Sequence, residues 1–247
     1  LNFPESACYK EKQEGKKNVA PFELIPWILG QCESTEQAEK LLENCNLLNH
    51  PFRKETPLSP LHWMVADKNK CIVIEAVKEG VRIYDNPYGV LTNNPPFPFY
   101  QMYMQHYRSL SAKTPESLFA ESLSFKTYGQ GMGAMGLPGD YSPASRFVKA
   151  SFLKWNSRAV QEEEANVSQF FHILDGVSMV RGAVITPEGK EDITTYSCCI
   201  NGDQGIYYYK TYDNSQIHAI SLQRENLEET GLKEYALCTA PSFQWQN

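Results

Sequence analysis

The chain has 247 residues, 42% hydrophobic and 12% aromatic, with 23 Lys and Arg against 29 Asp and Glu for a net charge of −6. That apolar mass excludes intrinsic disorder, and the lack of any basic block excludes nucleic acid as a partner. No run approaches the roughly 18 apolar residues of a membrane helix, and the start lacks a signal-peptide pattern, so the sequence reads as soluble and globular with no membrane partner.

Leu1-Asn2-Phe3-Pro4 reads as the end of a strand entering a loop, and a start on Leu rather than Met suggests an upstream segment. Pro21 to Gly30 is patterned as a helix closed by a glycine suited to a left-handed cap. In the next segment Ser34 and Gln37 make a capping box, and Ala38, Leu41, Leu42 and Cys45 share one buried face. From Leu61 the period becomes that of strands, over 61–66, 71–77, 81–84 and 89–92, an antiparallel meander with turns at 68–70 and 85–87. Residues 99–110 suit an amphipathic helix, and 111–140 is a long irregular stretch of a length that usually carries an interface or a binding loop. Ser142-Pro143 opens a helix running to Trp155. Asn166 with Gln169 opens another, with Phe170, Phe171, Leu174 and Val177 on one face. Strands follow over 193–200, 205–212 and 216–221, with a turn at 213–215. Strands, helices, then strands without regular alternation indicate an α+β fold, and no linker or repeat divides the single domain 1–247.

Seven cysteines, with no CxxC pair and no Cys/His cluster at zinc spacing, indicate a reducing compartment, free thiols and no metal. Gly131-Met-Gly133-Ala-Met-Gly136 matches a dinucleotide fingerprint, but Leu137-Pro138-Gly139 follows where a helix is needed, so the segment reads as a loop. Asn93-Asn94 reads either as a turn before Pro95 or as an amide aimed into a pocket. Arg146, in the first turn of its helix, sits where the helix dipole disfavours a cation. That position calls for compensation by a carboxylate such as Asp140, a ligand anion or a catalytic thiolate. His62 and His172 lie beside apolar neighbours and read as core or boundary residues. No Ser/His/Asp or Cys/His set assembles, and Cys198-Cys199 point to opposite faces of a strand.

Several strings together resemble the choloylglycine hydrolase family of bile salt hydrolases and penicillin V acylases. They are Leu1-Asn-Phe-Pro4, Pro26-Trp-Ile-Leu-Gly-Gln-Cys32, Ser59-Pro-Leu-His-Trp63, Asp85-Asn-Pro87, Gly89-Val-Leu-Thr-Asn-Asn-Pro95, Leu137-Pro-Gly-Asp-Tyr-Ser-Pro-Ala-Ser-Arg-Phe147, Phe170-Phe-His-Ile-Leu174 and Gly205-Ile-Tyr-Tyr-Tyr209. The resemblance covers nearly the whole chain, and the bile salt hydrolase branch fits best.

What the resemblance implies is an N-terminal-nucleophile hydrolase fold, an αββα sandwich of two antiparallel sheets between helix layers. In such enzymes an N-terminal cysteine attacks an amide with its own α-amine as base. Asn2 matches the family asparagine whose backbone N–H faces the oxyanion, Asn93 the asparagine whose amide completes that hole, and Arg146 the arginine beside the nucleophile. The cysteine itself falls upstream of Leu1 in the family pattern, so the expectation is that the N-terminal strands lie outside this chain and that residues 1–247 alone are inactive. The expected substrate is a conjugated bile salt, with penicillin V and a non-catalytic ligand-binding role as alternatives. Leu47, Leu48, Phe52 and Phe97 could supply apolar surface for a steroid, or could pack against the core. No cofactor is implied. The resemblance also implies a bacterial, cytoplasmic homo-oligomer, a tetramer by family pattern.

Overall fold

The computed structural model describes residues 1–247, which form two units, 1–155 and 156–247. In the first, β1 (Lys17–Val19) and β2 (Cys45–Leu47) pair in parallel, Lys17 opposite Cys45 and Val19 opposite Leu47. Between them lie α1 (Leu24–Leu29) and α2 (Thr35–Leu42). The helix expected over 21–30 begins as a tight 3-10 turn at Pro21–Glu23 and becomes α-helical only at Leu24. Gly30 is not left-handed, at φ −79°. Close approach of the chain favours glycine there, because a Cβ would stand 3.0 Å from the Pro26 carbonyl.

The cap of α2 is half as expected. Ser34 Oγ accepts the Gln37 N–H at 3.2 Å, but Gln37 Oε1 accepts from Glu33 N at 2.8 Å rather than from Ser34. Asn44 at φ 59° ends the helical segment, so Cys45 is buried from a strand and not from the helix face. Val19, Leu24, Ile28, Ala38, Leu42, Cys45 and Leu47 form one core with Trp63, Ile72 and Ile74 of the next sheet.

That sheet is β3 (His62–Ala66), β4 (Cys71–Val77) and β5 (Gly80–Asp85), an antiparallel meander with β4 in the middle. As the middle strand, β4 is buried from Ile72 to Ala76. The turn after β3 is closed by Asp67, whose Oδ1 accepts N–H groups of Asn69 and Lys70 at 2.7 and 2.9 Å. The strand expected over 89–92 does not form. There Asn86 takes the place of a ladder partner: its Oδ1 accepts Gly89 N–H at 3.1 Å and its Nδ2 donates to Val90 O at 2.9 Å.

The chain then enters α3 (Phe97–Tyr103), which tightens into a 3-10 turn at Met104–Tyr107, and runs irregularly to α4 (Pro143–Asn156). Ser142 Oγ accepts Ser145 N–H at 3.3 Å, with Pro143 at the first helical position, as the sequence signals. Phe97, Tyr100 and Phe147 pack with Val73 into a second core, the Tyr100 and Phe147 rings 4.4 Å apart. The glycine-rich run at 131–136 is a loop, with Gly131 at φ 76° and one 3-10 turn at Met132–Ala134.

In residues 156–247, α5 (Glu163–Asp175) precedes β6 (Tyr196–Asn201), β7 (Ile206–Thr211) and β8 (His218–Ser221), an antiparallel meander with β7 central. Asn166 does not open α5. It sits inside the helix and bonds back to Val160 N and O at 2.9 and 2.8 Å, while Glu162 occupies the cap position. The buried face of the helix carries Val167 and Phe171, whereas Phe170 is exposed. The architecture is α+β, with antiparallel sheets in both units, as expected from the order of elements.

Candidate functional site

The site assembles where the first residues of the chain meet the sheet. His62 N donates to Leu1 O at 3.0 Å and Phe3 N to Pro60 O at 2.8 Å, so residues 1–3 run antiparallel beside 60–62. Alternation along this short stretch buries Phe3 completely and leaves Asn2 exposed. Because the bonds of the pair are made by the flanking residues, the N–H and C=O of Asn2 both point away from Leu61.

On the side to which Asn2 turns its backbone lies Asn93. Its Nδ2 donates to Asn2 O at 2.9 Å, and its Oδ1 accepts from Arg146 Nη2 at 2.8 Å. A carbonyl can only accept and a guanidinium can only donate, so the two neighbours dictate the orientation of this amide. One N–H of Nδ2 goes to Asn2, and a second remains to meet a further acceptor. Asn2, Asn93 and Arg146, separated by 91 and 53 residues of chain, thus form one hydrogen-bonded series.

Arg146 is half-buried in the first turn of α4. Its Nε donates to Tyr141 O at 3.0 Å while Nη2 reaches Asn93, which pins the guanidinium plane. Asp140, the carboxylate considered as its counterion, accepts from Ser142 N at 2.9 Å and from Ser145 Oγ at 2.5 Å. These bonds hold the Asp140 carboxyl down at about 2. The loop is tied to α4 by Thr92, whose Oγ1 donates to Pro143 O at 3.0 Å.

Asn94 reaches the same N-terminal segment as its neighbour. Its Nδ2 donates to Pro4 O and, at 3.2 Å, to Ser6 Oγ. The residues turn the chain before Pro95, and each side chain also bonds to the segment that begins at Leu1. Below them Tyr100, fully buried, has its Oη 3.1 Å from Asn93 O and 2.8 Å from Asn94 O. Burial pushes the Tyr100 phenol upward, which keeps it a donor.

Leu47 and Phe97 are 2% and 0% exposed, and their place is in the two cores. Phe52, 62% exposed, meets Phe22 edge to face at 5.2 Å, and Leu48 is half-buried. Of the four apolar candidates, only these two have exposed surface. His62 is buried, as the sequence reading has it, but it also supports the loop of Asn93 through Thr92 O, 2.7 Å from Nε2. The signal for this support was Glu75, a carboxylate inside the otherwise apolar run Cys71-Ile-Val-Ile-Glu-Ala-Val77.

Residues 1–235 match the family described as linear amide C–N hydrolases, choloylglycine hydrolase family. The chain is 51% identical over 237 residues to a bile salt hydrolase/transferase of Lactiplantibacillus plantarum, covering 96% of this chain and 73% of that protein. It is 39% identical to the bile salt hydrolase/transferase of Clostridium perfringens, covering 95% and 72%. Among solved structures, a cysteine-to-alanine variant of the conjugated bile acid hydrolase from Clostridium perfringens superposes with a TM-score of 0.89 at 37% identity, over 100% of this chain and 76% of that one. The penicillin V acylase from Agrobacterium tumefaciens gives 0.67 at 16% identity, over 88% and 61%, a likeness of fold.

Proposed function

The chain belongs to the choloylglycine hydrolase family of linear amide C–N hydrolases, and on that premise we propose that it hydrolyses the amide of conjugated bile salts, releasing glycine or taurine from the steroid acid. The observation that carries the reading is the series Arg146 to Asn93 to Asn2, which sets the Asn93 amide nitrogen beside the edge of the chain from which the Asn2 backbone N–H also projects.

In the proposed reaction the nucleophile is an N-terminal cysteine upstream of Leu1. The seven cysteines within 1–247 are internal, and the reaction needs a thiol whose own α-amine can take its proton. The thiolate adds to the amide carbonyl, and the electron pair of the C=O moves to oxygen. Asn2 N–H and Asn93 Nδ2–H stabilise that oxyanion, a contribution typically worth on the order of 10²–10³ in rate per donor. When the carbonyl re-forms, the C–N bond breaks and the amine leaves with a proton from the α-ammonium. Water then cleaves the thioester by the same path and returns the thiol. Arg146 keeps Asn93 oriented and places a cation beside the nucleophile.

Leu48 and Phe52 offer apolar surface for the steroid. We read residues 1–247 as a single functional domain, which the family match running through both units supports. A cytoplasmic, bacterial setting is supported by seven free thiols and by bacterial relatives. No helix is long and apolar enough to cross a membrane. Assembly as a homo-oligomer is supported by the exposure of Leu118, Phe119 and Tyr128 in the long irregular stretch.

The test is paired turnover of glycocholate, taurocholate and penicillin V by the intact protein, together with its mass and N-terminal sequence. Preference for the bile salts and a mature N-terminal cysteine are expected. A strong preference for penicillin V overturns the substrate, and no turnover with a non-cysteine terminus makes the protein a ligand-binding one.

A further inference from the structure

β4 carries one residue that apolar packing does not explain. Glu75 is 0% exposed and lies opposite His62, also 0% exposed, in the β3–β4 register. Glu75 Oε1 is 3.3 Å from His62 Nδ1 and accepts the N–H of Phe97 at 3.0 Å, while its Oε2 is buried with no hydrogen-bond partner. An incompletely paired carboxyl is an expensive group to bury where an aliphatic side chain would pack.

Its neighbours show what it does. His62 Nε2 lies 2.7 Å from Thr92 O, which can only accept, so Nε2 carries a proton. If the proton between Nδ1 and Oε1 sits on the ring, an imidazolium faces a carboxylate; if it sits on Glu75, a carboxylic acid donates to a neutral ring. Both arrangements are neutral overall, and both keep Nε2–H aimed at Thr92. Glu75 thus fixes the tautomer that holds the residue before Asn93. Tyr100 Oη faces the next two carbonyls, those of Asn93 and Asn94. Two buried side chains therefore face three consecutive carbonyls from the core side, the single Tyr100 hydroxyl donating to one of its two at a time. The His62 ring also carries Phe3, stacked at 4.5 Å and 6°, immediately after Asn2. One imidazole registers both chain segments of the site.

We propose that Glu75, His62 and Tyr100 are positioning residues, which hold the backbone of Asn93 in register with Asn2 so that their two N–H groups converge on one oxyanion. This rests on the oxyanion reading given above. Such residues touch no substrate, so their removal should act on kcat and spare KM.

The experiment uses the intact protein and measures kcat, KM and Tm for wild type, Glu75→Gln, Tyr100→Phe and Ile72→Ala. Wild-type turnover of glycocholate and taurocholate decides the substrate reading by itself, and the variants are then compared on whichever amide the wild type cleaves. Glu75→Gln keeps the volume and removes the acid; Tyr100→Phe removes one hydroxyl. Each is expected to lower kcat per folded molecule about tenfold or more with KM within about twofold. Ile72→Ala, in the same strand but on its opposite face, in the core with Leu24 and Leu42, is expected to lower Tm and leave kcat per folded molecule unchanged. Variants that melt lower yet keep wild-type kcat overturn the proposal, and should Glu75→Gln fail to fold, Tyr100→Phe carries the test alone.

Discussion

Arg146 Nη2 donates to Asn93 Oδ1 at 2.8 Å, joining the first turn of α4 to a loop 53 residues earlier. The bond sets which end of the Asn93 amide faces Asn2, and it gives the cation a partner that offsets its place near a helix N-terminus.

On the proposed oxyanion role, Asn93→Ala in the intact protein should lower kcat by on the order of 10² with little change in KM, because a donor used in the transition state is lost. Asn94→Ala should show the opposite pattern. Its bonds to Pro4 O and Ser6 Oγ anchor the N-terminal segment, so the expected result is a stability loss of about 1 kcal/mol with kcat per folded molecule nearly kept. Steady-state kinetics and thermal melts of both variants check this, and equal small effects on kcat would remove Asn93 from the site.

Arg146→Lys should cost kcat about tenfold or more despite the retained charge. A lysine has one nitrogen and cannot satisfy Tyr141 O and Asn93 Oδ1 from one planar group. Wild-type kinetics in this variant would mean that charge alone matters.

Phe147→Ala should destabilise unit 1–155 by about 3–5 kcal/mol, read as a fall in denaturant midpoint. The ring is fully buried against Tyr100, Phe97 and Tyr88, with centroids at 4.4, 6.3 and 5.4 Å, so truncation leaves a cavity among rigid neighbours.

Burial pushes the Cys45 thiol from 9.0 up to about 11. The unfolded chain therefore loses this proton first, and the contribution to stability, intact below pH 9, is lost as pH rises toward about 11. Near pH 8 a maleimide should label exposed Cys238 readily and leave buried Cys45 untouched until the protein unfolds, as mass spectrometry of peptides would show. Early labelling of Cys45 would contradict its place in the core.

Local structure was legible wherever neighbours in sequence settle it. The bounds of β4 follow from an apolar run cut off by the Asp67 turn, and the start of α4 from Ser142-Pro143. Two of the misread elements are ones in which a side chain competes with the backbone. Asn86 bonds to Gly89 and Val90 and replaces a strand with a side-chain-closed turn. Asn166, with the composition of a cap, bonds back to Val160 from inside α5. Periodicity and capping patterns cannot distinguish such bonds from ladder bonds, because the same residue types serve both.

By itself, then, the sequence determined the α+β class and the family, and through the family strings it nominated Asn2, Asn93 and Arg146 as candidates, since repeat period, chain order and distinctive strings are all one-dimensional properties. Two readings of Asn93 stayed open at that level, as did packing against ligand contact for Leu47 and Phe97. Only the tertiary structure shows the Asn93 amide bonded to Asn2 and Arg146, and Leu47 and Phe97 sealed in the cores. Whether an amide meets a carbonyl 91 residues away, or an aromatic ring is sealed at 0% exposure, depends on how segments 1–3, 60–62 and 91–97 close over one another. That closure is set by burial summed over the whole sheet and its helices, which no local window of sequence contains.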